Sequence, residues 1–357
     1  MRYDQLLARP HLQEERIMKD QVGAILLAAG KGTRMKSQKP KILHQIWETP
    51  IIERVIKATL ATGTTELCLV LSQIHPELHH LLHQHPEIRV CLQPHQGGTG
   101  EAVAAASAAF DLEQPASSTG SLVHGSPLTT RHVIILCGDT PALNNDTLNQ
   151  FMKHCHENNA ELAVLATDHQ NPKGYGRIIR NRAGNVTAII EERDADPKTR
   201  MIKTCNTGIF FAETKLLFHL VSQLNTNNSQ GEYYLTDCFA AAIQQGVKPI
   251  VYVAENPTQF TGINNRQQLA DLEAQMIAQK RLELMTEGVT FHLPSTIYVS
   301  EEATIGQDTE IWPGAVICGK TRIGKECHIG ANAVLRDCLI SDGSTIESGI
   351  TLANTSI

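Results

Sequence analysis

After about residue 290, apolar side chains recur every six positions: Leu293, Val299, Ile305, Ile311, Ile317, Ile323 and Ile329, then Ile340, Ile346 and Leu352. Glycine often follows directly, as in Ile305-Gly306, Ile323-Gly324 and Ile329-Gly330. Small or β-branched residues tend to come four positions later, among them Ala303, Thr309, Ala315, Thr321, Ala333 and Ser344. One step shortens to five, from Leu335 into Ile340. A helix repeats every ~3.6 residues and a flat strand every ~2, so neither gives this spacing. A period of six means one short strand and a turn per unit, stacked into a β-helix.

The residues before the repeat follow another rule. VGAILLAA (22–29) is a continuous apolar run ending in glycines and reads as a strand buried on both faces. Pro50 opens PIIERVIKATLA as a helix, ELCLVLS (66–72) is a second buried strand, Thr99 to Phe110 is helical, and HVIILCGD (132–139) is a strand ending on an acid. This alternation predicts a doubly wound, mostly parallel α/β sheet, which binds ligands at the carboxyl ends of its strands. Residues 111–131 read as a long polar loop. GRIIR and VTAIIEE form a hairpin around Gly184, KTCNTGIFFA is a strand, 213–225 and 234–245 are helical, and 248–254 is a strand. Asn264 to Thr286 reads as a long amphipathic helix leading out of the first domain. The expected organisation is an extension over 1–20, a Rossmann-like domain over 21–263, a connecting helix over 264–289 and the β-helix over 290–357.

Composition narrows the function classes. With 357 residues, 41% of them hydrophobic and 19% charged, the chain can bury two or three cores and is not globally disordered. Its net charge, 31 − 37 = −6, argues against binding nucleic acid, which needs a basic face. No apolar run approaches the ~18 residues of a membrane helix. The first twenty residues are charged throughout and give no secretory signal. The nine cysteines are scattered without a C-x-x-C pair, so reduced thiols in a cytoplasm fit best.

The strongest local motif is Leu27-Ala28-Ala29-Gly30-Lys31-Gly32-Thr33-Arg34-Met35, followed by Pro40-Lys41. A glycine turn after a buried strand lets backbone amides approach phosphates, and Arg34 and Lys41 add cations for a polyphosphate. It is not a P-loop, since Ile25 and Gly32 stand where Gly and Ser or Thr are needed, nor a dinucleotide fingerprint, since Met35 takes the place of the third glycine. A tight βα turn with surface cations is the plain alternative.

This motif resembles the signature of sugar-1-phosphate nucleotidyltransferases, and in particular the uridyltransferase half of the bifunctional N-acetylglucosamine-1-phosphate uridyltransferase / glucosamine-1-phosphate acetyltransferase family. The likeness continues through Gln93, Gly97-Gly98-Thr99-Gly100, Gly138-Asp139, Gly174-Tyr175-Gly176-Arg177, Glu191, Asn206-Thr207-Gly208, Gly231 to Asp237 and Gly262 to Arg266. It implies a left-handed β-helix that builds homotrimers. It also implies Mg²⁺-dependent transfer of UMP from UTP to N-acetylglucosamine-1-phosphate, with no partner nucleic acid or membrane. By the resemblance, the Leu27–Gly30 backbone (Leu27, Ala28, Ala29, Gly30) holds the nucleotide, and Gln93, Gly98 and Thr99 read the uracil. Gln offers a donor and an acceptor together, which the imide edge of uracil complements. Asp139 and Asn264 would ligate Mg²⁺, and Gly138, Gly176, Glu191, Asn206 and Asn264 would contact the sugar. Arg34 would stabilise the leaving pyrophosphate, and Lys41 the α-phosphate or the sugar phosphate. Taken alone, Asp139 could be a turn or cap residue, Asn264 a helix N-cap and Gln93 an ordinary strand-end amide. Tyr234 and Thr236 are further candidates for the sugar pocket.

Two departures from the family pattern stand out. Cys137 replaces the tyrosine common before Gly-Asp. The repeat gives about three and a half coils of three hexads, and its one histidine after Leu293, His328, lies too early to match the family's acetyltransferase histidine. Acetyl transfer is therefore not expected. A transferase for another sugar or base, or a non-catalytic scaffold, remains an alternative. The cluster His75, His79, His80, His83 and His85 has zinc-like i,i+4 spacing, but no Cys or carboxylate completes a site, so a solvated helix face is expected.

Overall fold

The computed structural model describes residues 22–110, 112, 121–124 and 127–357. The expectations for 1–20 and for most of 111–120 lie outside those residues. Two compact units emerge: residues 22–44 with 51–264, and residues 45–50 with 265–357.

The first unit is built on one sheet. Its strands are β1 (Val22–Leu27), β2 (Leu67–Leu71), β3 (Ile88–Leu92), β4 (Ser121–His124), β5 (His132–Cys137), β6 (Leu162–Asp168), β7 (Arg177–Arg180), β8 (Val186–Ile190), β9 (Thr204–Glu213) and β10 (Ile250–Ala254), in the order β8-β7-β9-β5-β1-β2-β3-β4, with β6 and β10 branching from β9. Strands β5, β1, β2 and β3 run parallel, and β9 and β4 run antiparallel to their neighbours. Alternate residues feed two cores, as a sheet covered on both faces requires. Ile25, Cys68, Val70 and Cys91 point to one core, and Ala24, Leu26, Leu69 and Val90 to the other. Helices α3 (Thr99–Ala106), α5 (Thr214–Val221) and α6 (Asp237–Gln244) cover the first face. Helices α1 (Ile51–Leu60), α2 (Pro76–Gln84) and α4 (Asn145–Glu157) cover the second.

The chain runs β1-β2-β3 to one side of β1 and then returns to β5 on the other, with Leu27 opposite Cys137. Ligands bind at such a switch point. It brings the glycine loop after β1 beside Gly138-Asp139 after β5.

The second unit stacks short parallel strands into three sheets, with an inward residue repeated from coil to coil. The pairs Val299↔Ile317↔Leu335↔Leu352, Ile305↔Ile323↔Ile340 and Ile311↔Ile329↔Ile346 run up its sides. The small residues turn the corners: Ala303, Thr309, Ala315, Thr321 and Ala333 are fully buried, and Cys327 and Cys338 share that register. The hydroxyls of Thr309 and Thr321 donate to the carbonyls of Gly324 and Cys318, so their burial leaves no orphan donor. Gln45–Pro50 packs in this unit. The Trp47 indole donates to the Val299 carbonyl at 2.8 Å, and Glu48 accepts from Ser300 and Gly319.

Four expectations change. Leu293 is not the first inward residue. It is 66% exposed with a left-handed φ of 52°, and Phe291 pairs with Ile311 in its place, because the first coil carries two extra residues. Helix α7 (Arg266–Thr286) is not amphipathic by pattern: only Leu272, Ile277 and Leu284 are buried along its 21 residues. Strands β3 and β6 were not anticipated, the first being short and bounded by prolines. Within the expected 111–131 loop, the backbone of Ser121–His124 pairs with β3, giving that edge the partner an exposed strand needs.

Candidate active site

A cleft of about 410 Å³ opens at the switch point, lined by the Leu27–Arg34 loop, Lys41, Gln93, Gly98, Thr99, Cys137, Asp139 and Asn264. Its floor is backbone. Among the described residues, no group accepts from the N–H groups of Ala29, Gly30, Lys31 or Gly32, and a Cβ on Gly30 would enter open space. Unpaired amides around a concavity suit an anion.

One end of the cleft is charged. The Lys41 ammonium lies 2.5 Å from Asp139 Oδ2 and 3.4 Å from Asn264 Oδ1, and Arg34 donates to the same Asn264 oxygen at 2.8 Å. These residues are as much as 230 positions apart in sequence. Asn264 is not the helix cap: Asn265 caps α7 by accepting from Gln268. Asp139 does not cap a helix either, since Asn144 does that for α4. Asp139 is fixed from behind, its carbonyl accepting from Ile263, so the two segments that carry the acid and the amide are tied together. Two oxygens converging on one ammonium have the donor chemistry a hard divalent cation takes, the remaining positions falling to water and phosphate. No cluster of three or more His, Cys, Asp or Glu poised for a metal occurs among the described residues.

The other end carries Gln93, Gly98, Thr99 and Glu232. Gly98, with φ of 111°, sits where a Cβ would fall 2.6 Å from the Tyr233 carbonyl, so only glycine allows this loop to lie on the 231–235 segment. Thr99 accepts from Leu235 N–H through its hydroxyl. Gln96, outside the expected set, lines the cleft and donates to the Ala29 carbonyl at 3.0 Å. The signal was available: a second amide three residues after Gln93.

Of the expected sugar residues, Asn264 lines this cleft, whereas Gly138, Gly176, Glu191 and Asn206 do not. Gly138 N–H donates to Leu27, and Gly138 packs so closely on Ala28 and Ile52 that it serves as a spacer between β1 and β5. Asn206 N–H donates to the Gly176 carbonyl, and the Asn206 amide oxygen accepts from Gly208. Glu191 accepts from Thr236 at 3.1 Å and lies against Gly176. Arg177, 1% exposed, braces this wall through Glu192 at 2.7 Å and the carbonyls of Tyr175 and Arg200. Burial and the Asp139 charge push the Cys137 thiol up to about 12, so it is a packing group against Gly208 and no nucleophile. His79, His80 and His83 are exposed on α2, and His75 caps it.

Burial raises the Glu191 carboxyl above its usual 4.5, helped by Asp237 and Asp194 and opposed by the bond from Thr236. A carboxyl raised in the fold favours folding below its unfolded value. That contribution is lost as pH rises through the folded value. Glu191→Gln, which keeps an acceptor for Thr236, should therefore melt a few degrees higher than the parent at pH 7. The gap should close below pH ~4.5. Melting curves from pH 4 to 8 check this, and a constant gap across that range would locate the effect elsewhere.

The MobA-like NTP transferase domain family matches residues 24–203, and the bacterial transferase hexapeptide family (six repeats) matches 302–337. Fold and site thus define an NTP transferase domain joined to a hexapeptide β-helix. The bifunctional protein GlmU of Geobacter metallireducens is 38% identical over 317 residues, 88% of this chain and 63% of its own length. The GlmU proteins of an Exiguobacterium species (strain ATCC BAA-1283 / AT1b) and of Clostridioides difficile are 36% and 34% identical, over 92% and 91% of this chain and 68% and 67% of their own. The chain belongs to the GlmU family, and it spans just under two thirds of the Geobacter relative.

Proposed function

We propose that this protein transfers UMP from UTP to N-acetylglucosamine-1-phosphate, releasing pyrophosphate, with Mg²⁺ as the divalent cation. The observation that carries the reading is the convergence of Lys41, Asp139, Asn264 and Arg34 at the charged end of a cleft with a backbone-amide floor. Membership of the GlmU family supports it.

In this reading an oxygen of the sugar phosphate attacks the α-phosphorus in line. A new P–O bond forms as the bond to the β-phosphate oxygen breaks, and the electron pair leaves with pyrophosphate. The nucleophile is already an anion, so no side chain has to remove a proton. The protein's work is to bring two polyanions together and offset their charge. The unpaired amides of Ala29 to Gly32 hold phosphate oxygens. Arg34, tied by one bond to Asn264, keeps its other donors for the leaving group. A phosphate in the cleft competes with Asp139 for Lys41, and as Lys41 turns to it the carboxylate is released. Asp139 and Asn264 would hold a divalent cation, which would supply neutralisation of phosphate charge. Glu191, Asn206 and Gly176 form the wall for the sugar.

A homotrimer built through the β-helix and a cytoplasmic setting belong to the same proposal. Hexapeptide repeats support the first and nine free thiols the second. Pyrophosphate release should be fast with UTP and N-acetylglucosamine-1-phosphate. It should be at least tenfold slower with glucosamine-1-phosphate, glucose-1-phosphate or GTP. Preference for another pair would overturn the substrate assignment, and no turnover by folded protein would favour the scaffold alternative.

A further inference from the structure

Gln93 follows β3 at the end of the cleft away from Lys41 and Asp139, with its backbone N–H bonded to the Leu71 carbonyl. Its side chain does not offer a donor and an acceptor together, as its residue type suggests. The amide nitrogen donates to Glu101 Oε2 at 2.6 Å and to the Gly98 carbonyl at 3.4 Å, which uses both hydrogens. Glu101 Oε2 also accepts from Gly97 N–H at 2.7 Å, so that oxygen is an acceptor, and this fixes which end of the Gln93 amide faces it. Glu101 is more than nine-tenths buried in the first turn of α3 and does not line the cleft. Among the described residues the Gln93 carbonyl oxygen has no hydrogen-bond partner, and it is not sealed from the cleft.

We propose that Glu101 is a positioning residue for base selection: it locks the Gln93 amide so that only its carbonyl oxygen faces the base. The inference rests on the nucleotide reading above. An acceptor there matches the N3–H of uracil and meets a lone pair on N3 of cytosine. Sites that leave buried polar groups unpaired reject the wrong ligand strongly. Capping of α3 accounts for the bond from Gly97, but it does not require the bond from Gln93.

The test compares kcat/KM for UTP and CTP, with N-acetylglucosamine-1-phosphate, in the parent, Glu101→Gln and Glu101→Asp. Gln at 101 carries its own NH₂ and can donate to the Gln93 oxygen, which allows the amide to turn over. Asp keeps the negative charge at the helix start but falls one methylene short of Gln93. The parent should prefer UTP by about 10²-fold or more, and both variants should lower that ratio by about tenfold or more. In Glu101→Gln the change should include a gain for CTP, which damage to the fold would not give. In a Gln93→Leu background, Glu101→Gln should change the ratio no further. If Glu101→Gln does not fold, Glu101→Asp decides. A parent that prefers UTP with variants that keep its ratio overturns this inference alone. A parent without preference for UTP overturns the nucleotide reading, and the inference with it.

Discussion

Replacing Arg34 by alanine is expected to lower kcat by about 10²-fold or more while changing KM for UTP far less. The magnitude is that of losing one preorganised charge contact where charge develops. Arg34 is exposed at the cleft rim, held by a single 2.8 Å bond from its guanidinium to Asn264. A guanidinium has five donors, so four remain for phosphate oxygens. An interaction that strengthens as the leaving pyrophosphate gains charge shows in kcat. One that holds the triphosphate equally throughout shows in KM. Steady-state kinetics at saturating Mg²⁺ separates the two. A raised KM with unchanged kcat would make Arg34 a binding residue only.

Asp139→Asn is expected to raise the Mg²⁺ concentration for half-maximal activity by about tenfold or more, with a large fall in kcat. The carboxylate is 23% exposed and its partner Lys41 12%, so the pair is partly shielded, where charge interactions outweigh those in bulk water. Asparagine keeps the shape and can still accept from Lys41, so the change isolates charge from geometry. A hard divalent cation loses most when an anionic oxygen becomes a neutral one. Mn²⁺ binding, followed by electron paramagnetic resonance without substrates, gives a readout independent of turnover and should weaken in parallel. Unchanged metal dependence in both measurements would remove Asp139 from the ligand set.

These two residues differ in how the sequence exposes them. Arg34 stands in a contiguous motif, so its place at the cleft is legible from neighbours one turn away. Asp139 is legible only as an acid at a strand end, a position also common for turn and cap residues. Asn264 was the more ambiguous, because the first polar residue before a long helix usually caps it. The fold resolves that by giving the cap to Asn265 and turning Asn264 towards Lys41.

Local patterning determined much of this protein. Apolar runs of strand length set the parallel sheet, the six-residue period set the β-helix, and the glycine loop with Arg34 and Lys41 marked the charged end of the cleft. Each of these is written within a few residues, where backbone geometry and side-chain period act directly. Only the tertiary structure decided the rest. It set the pairing of Lys41 with Asp139 and Asn264 across 98 and 223 positions, and the locking of the Gln93 amide by Glu101. It also replaced Leu293 with Phe291 in the first coil. In each case the side chain has several local options of similar energy. Which one it takes depends on groups that the chain's path through the sheet brings within about 3 Å, and no periodicity carries that information.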